Sequence, residues 1–161
     1  MKVLAIDDQQ LVLLPLQKRL LELGYQVEIE TSASRGIKLF HSFNPDLVIV
    51  DINMPEISGL EIVKYIRSSK NSKVKVMVLS GNTNDAVITK GFDLGIDDYM
   101  KKPLSLNEIC ARVKRLIGAP KINAKESSNV LIQQRRRALR LHRHHRLSLR
   151  ILRRLFLACP A

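Results

Sequence analysis

Five residues carry the chemistry of this chain: Asp7, Asp8, Asp51, Ser80 and Lys102. Each stands at, or just past, the end of a short apolar run. Three carboxylates brought together repel one another, and without a cation at least one would be pushed to bind a proton. A hard divalent cation relieves that repulsion, and a few carboxylates completed by waters suit Mg²⁺. Mg²⁺ shares its coordination readily with phosphate oxygens, so a carboxylate beside it is placed to attack phosphorus and form an aspartyl phosphate. The transferred group spreads negative charge over its oxygens, which a metal ion, a lysine and a hydroxyl donor would stabilise. Any one of these five residues alone reads as a turn or cap residue. All five at the matching ends of successive strands read as a site.

The elements that must position them alternate along the chain. Apolar strand patterns cover residues 2–6, 25–30, 46–50, 74–79 and, briefly, 98–100. Helical spacing covers 11–23, 32–43, 58–67, 84–94 and 106–117. Pro15 lies inside the first helical stretch, where it would bend the helix or mark a late start. Ser105 is a candidate N-cap, with Glu108 completing a capping box. Five strand–helix units predict a parallel sheet covered on both faces. In such sheets ligands sit beyond the carboxyl ends of the strands, where the strand order reverses. All five chemical residues map to that edge.

The stretches LAIDD, LVIVDINMPEISGLEIVKYIR, VLSG and GIDDYMKKP together resemble the receiver domain of bacterial two-component response regulators, over residues 1 to about 118. The resemblance implies a doubly wound five-stranded α/β sheet of flavodoxin-like order 2-1-3-4-5 with five helices, the order that chemotaxis regulators of this family share. It implies that Asp51 is the phosphoacceptor, that Asp8 binds Mg²⁺ directly, and that Asp7 acts mostly through a bound water. Asn53 would offer its backbone carbonyl to the metal. Ser80 would hydrogen-bond the phosphoryl group, Lys102 would pair with one of its oxygens, and Tyr99 would be the aromatic switch that answers Ser80. Pro103 in this family follows a cis peptide bond that would aim the lysine. The resemblance also implies a signalling protein rather than an enzyme. Its partners would be a histidine kinase or phosphotransfer protein as donor, and a downstream output protein or a lost effector domain, with homodimer formation as a further mode. The chain departs from the family at Ser58-Gly59, where Asp-Gly is frequent, and at Gly91 and Ile96, where alanines are frequent. A phosphatase that uses an aspartyl-phosphate intermediate is the alternative; haloacid-dehalogenase-like enzymes carry a DxD motif after the first strand, where this chain has adjacent acids.

Charge divides the chain. The formal net charge is +12 over 161 residues. Residues 1–119 hold 16 Lys and Arg against 14 Asp and Glu, whereas residues 120–161 hold 11 against one. The reading is therefore a receiver domain over 1–118 and a basic tail over 119–161, parted near Gly118-Ala119-Pro120. The body prefers lysine, 11 to five arginines, but residues 135–161 contain nine Arg, seven Leu, three His and no Lys. Three readings of the tail stay open. It is an amphipathic basic helix, with Arg146, Arg150, Arg153 and Arg154 on one face and Leu147, Ile151 and Leu155 on another. Or it is a linker to a lost effector domain. Or it is a non-native extension such as a frameshift would give. Nucleic acid enters as a partner only on the first reading. His142, His144 and His145 lack acidic neighbours and do not read as a metal site. Cys110 and Cys159 read as unpaired thiols, and His41 as a surface residue. No apolar run reaches membrane-span length, and two acids follow close on the N-terminus, so a cytoplasmic protein is expected.

Overall fold

The computed structural model describes residues 1–71, 73–81 and 85–120. Five strands, β1 (Lys2–Ile6), β2 (Gln26–Glu30), β3 (Leu47–Asp51), β4 (Lys75–Ser80) and β5 (Asp98–Lys101), alternate with five helices. These are α1 (Gln10–Glu22), α2 (Ala33–Phe43), α3 (Gly59–Ser68), α4 (Asp85–Asp93) and α5 (Leu106–Ile117). All neighbouring strands are parallel, in the order β2-β1-β3-β4-β5. The fold class and strand order follow the expectation. The readings of the tail, its histidines and Cys159 fall outside the described residues, as does Asn84 at the start of the fourth helical stretch.

The sheet is buried on both sides because its strands carry apolar residues at consecutive positions. Alternate residues serve opposite layers. Val3, Ala5, Leu47, Ile49, Met77, Leu79 and Met100 face Leu13, Leu16 and Leu20 of α1 and Ile109 and Val113 of α5. Leu4, Ile6, Val48, Val50, Val76 and Val78 face Phe40 of α2 and Ile62, Val63 and Ile66 of α3. A fully buried side chain of this kind contributes about 1.5–3 kcal/mol, so the two layers fix the register of every strand.

Pro15 does not delay the first helix: α1 begins at Gln10 and runs through it. The proline sits on the exposed face, and Leu11, whose carbonyl it leaves without an intrahelical donor, is 87% exposed, so water can take that bond. At α5, Ser105 Oγ accepts from the Glu108 N–H as expected. The Glu108 carboxylate instead pairs with Arg112, so it is not seen to close the expected box. A complete capping box stands at the start of α3, between Ser58 and Glu61. The two departures at Gly91 and Ile96 explain each other: a Cβ on Gly91 would lie 2.9 Å from Ile96 Cδ1, so the smaller residue makes room for the larger. His41 is exposed, as expected, but its Nε2 lies 2.7 Å from Tyr65 Oη, a partner the sequence did not disclose.

Candidate phosphoacceptor and metal site

The sheet order places β1 between β2 and β3, so the chain reverses direction of winding between β1 and β3. Asp7 follows β1 and Asp51 ends β3, which puts the two carboxylates on either side of that reversal. Asp7 is 0% and Asp51 2% exposed, while Asp8 and Asn53 face solvent. One carboxylate oxygen from each of Asp7, Asp8 and Asp51 lies within 4.8 Å of the other two. Ser80, fully buried, ends β4 next to Lys101 of β5. The Lys102 N–H donates to the Ser80 carbonyl at 2.8 Å, which carries the β4–β5 pairing up to the lysine. The Lys102–Pro103 peptide bond is cis. Tyr99 lies opposite Val78, half-buried, against the α3 and α4 layer.

Lys102 Nζ is 2.7 Å from Asp7 Oδ2 and 3.1 Å from Asp51 Oδ2. Asp7 Oδ2 is met by the Lys102 ammonium, whereas Asp51 Oδ1 has no hydrogen-bond partner. A buried carboxylate oxygen without a donor, as Asp51 Oδ1 is, costs about 1–3 kcal/mol and calls for a cation or an incoming donor. Burial pushes the Asp51 carboxyl above the ordinary aspartate value, and the Lys102 ammonium and the Asn53 backbone N–H offset this only in part. For Lys102 the balance goes the other way. Burial acts to depress it, but attraction to Asp7 and Asp51 holds it above the ordinary lysine value. An all-oxygen donor set, partly buried and with free lone pairs, fits a hard divalent cation such as Mg²⁺.

Two supports of the site were not legible in the sequence. The Gln9 backbone N–H donates to Asp7 Oδ1 at 2.9 Å and fixes the orientation of that carboxylate. Gly59 packs so closely on β3 that an added Cβ would overlap the Asp51 carbonyl oxygen and lie 2.8 Å from its carbon. The Gly59 N–H also donates to the Ile52 carbonyl at 3.0 Å. The loop over residues 52–58 is thereby folded back onto the strand end, with Glu56 at φ 70° in the left-handed region. The only sequence signal for this was a glycine directly after a capping serine.

A family model described as response regulator receiver domain matches residues 3–114. Among curated proteins, the alkaline phosphatase synthesis transcriptional regulatory protein PhoP of Bacillus subtilis is 32% identical over 126 residues, 78% of this chain and 52% of that protein. Response regulator MprA of Mycobacterium leprae is 32% identical over 73% of this chain and 51% of that protein. The chain thus spans about half the length of the curated relatives it matches. Among solved structures, the receiver domain of the Francisella response regulator 1452 superposes with a TM-score of 0.67 at 28% identity, covering 72% of this chain and 95% of that one. Chemotaxis protein CheY4 of Vibrio cholerae gives 0.68 at 26% identity, covering 71% and 97%.

Proposed function

Because the chain belongs to the response regulator receiver domain family, we propose that it takes up a phosphoryl group on Asp51 and relays it as a change of conformation. The donor would be a histidine kinase or phosphotransfer protein, and the receiver of the signal an output protein or an effector domain. The observation that carries this reading is Asp51 Oδ1: a buried carboxylate oxygen at a strand end, without a hydrogen-bond partner, beside an ammonium and a second buried acid. Asp51 attacks the phosphorus of the donor; the new oxygen–phosphorus bond forms as the bond to the donor's leaving group breaks, and the leaving group departs with that electron pair. Asp7, Asp8 and Asp51, with the Asn53 carbonyl, would hold Mg²⁺. When bound, the ion would neutralise the acids and draw charge from the phosphoryl oxygens.

Lys102 would turn from the carboxylates toward the phosphoryl oxygens, and Ser80 would donate its hydroxyl to them. Those new contacts favour one of two packings of the domain, and Tyr99, on the neighbouring strand, would change rotamer with Ser80. Response regulators work with histidine kinases and output effectors; which ones serve this chain is set by surfaces and segments beyond the acid pocket.

The test is incubation with a small-molecule acyl phosphate and Mg²⁺, followed by intact mass. One added phosphoryl group is expected, stable in acid, labile in base, lost in EDTA and absent in Asp51→Asn. A folded wild type that binds Mg²⁺ yet gains no mass would refute the reading.

A further inference from the structure

Lys102 stands where its charge must act on the metal before any phosphoryl group arrives. Its ammonium touches both buried acids, at 2.7 Å from Asp7 Oδ2 and 3.1 Å from Asp51 Oδ2, and only 16% of its side chain is exposed. The same two acids, with Asp8, supply the cluster of oxygens suited to a divalent cation. The two oxygens it meets leave Asp51 Oδ1 and the exposed Asp8 as the ready ligands. Three carboxylates carry three negative charges, and an ammonium and a dication together carry three positive ones. The two cations therefore coexist in the pocket, but they repel across a short, poorly solvated gap.

From this geometry we infer that Lys102 is the pocket's resident counter-cation and holds its resting affinity for the divalent ion down. The inference rests on the proposal that the pocket binds such an ion. In the metal-free chain the ammonium keeps Asp7 and Asp51 together against their mutual repulsion. The incoming dication draws on those oxygens and pushes the ammonium outward, and each like-charge contact weakens its binding. A phosphoryl group gives Lys102 another anion to meet, farther from the metal ligands. By linkage, metal and phosphoryl group then strengthen each other through this one side chain. The role is distinct from that of stabilising the transferred group, because it is exerted with no phosphate present.

The experiment uses the full chain and the metal alone. Mg²⁺ and Mn²⁺ are titrated by calorimetry into wild type, Lys102→Met and Lys102→Arg. Lys102→Met is expected to bind about tenfold more tightly than wild type, since it removes a like-charge repulsion at moderate effective dielectric. Lys102→Arg, which keeps the charge, is expected to stay near wild type. A wild type that binds metal while Lys102→Met binds equally or more weakly overturns the inference and leaves the metal site standing. A folded wild type that binds no metal overturns both. Should Lys102→Met fail to fold, the wild type itself decides. Reductive methylation, mapped by peptide, should modify Lys102 several-fold faster when Mg²⁺ is present, against exposed Lys64 as the internal standard. An unchanged rate in metal-binding protein overturns the inference.

Discussion

At the scale of single residues, Asp51 shows how a site works against the stability of the fold that carries it. Its carboxyl is held above the ordinary aspartate value, chiefly by burial. A folded chain therefore binds that proton more readily than an unfolded one, and ionising Asp51 costs stability. The cost is full above the raised value and vanishes once pH falls below the ordinary aspartate value, where both states are protonated. In EDTA, Asp51→Asn should be more stable than wild type near neutral pH, on the order of 1 kcal/mol. The gain should fade toward acid pH; urea unfolding across the pH range checks it, and a pH-independent difference would contradict the assigned cause. That the three acids and the lysine come together was legible, because charged residues stand at the strand ends in an otherwise apolar setting. Gln9 and Gly59 were not, since one acts through its backbone N–H and the other through the absence of a side chain. Neither role leaves a mark on residue type that spacing can detect.

Among the elements, the ends of α3 and α5 show what holds the frame. Ser58 and Glu61 satisfy the first turn of α3 reciprocally, just past the loop that Gly59 seats on β3. From the last turn of α3, Arg67 donates to the Gly95 and Val74 carbonyls and pairs with Asp97, whose carboxylate also takes Lys75 and the Val76 N–H. These bonds tie α3 to the entries of β4 and β5. At the other layer, Tyr25 Oη donates to the Gly118 carbonyl at 2.7 Å and closes the C-terminus of α5 against the start of β2. Burial, then the nearby Cys110, raises the Tyr25 phenol above its ordinary value. The stability it lends is complete below the ordinary tyrosine value and is lost as pH climbs toward the raised one. Tyr25→Phe should cost about 1 kcal/mol at neutral pH and soften the alkaline fall in thermal stability. Element order and type were legible from apolar periodicity, while boundaries moved by a residue or so: Asp51 and Ser80 lie within β3 and β4 rather than after them. Long-range caps such as Tyr25–Gly118 were not legible, because nothing local marks a partner that far along the chain.

For the molecule as a whole, every buried residue of the two core layers found among the described residues lies within the first 113 positions. A chain ended after Pro120 should therefore unfold in one transition at a temperature close to that of the full chain, and should still take one phosphoryl group on Asp51. Calorimetry and intact mass check both, and a large loss of either would assign residues 121–161 a part in the fold. The two outer strands limit pairing with other chains: β5 is four residues long and ends in Lys101, and β2 carries Glu28 and Glu30. Strand order has one more effect. Asp7, Asp51 and Lys102 leave the ribosome in that order, far apart along the chain, yet they meet as nearest neighbours. Contacts between such distant positions close late. A nascent chain that stalls before β5 carries the two acids without the ammonium that meets them, so the pocket cannot be complete until the fifth strand is made.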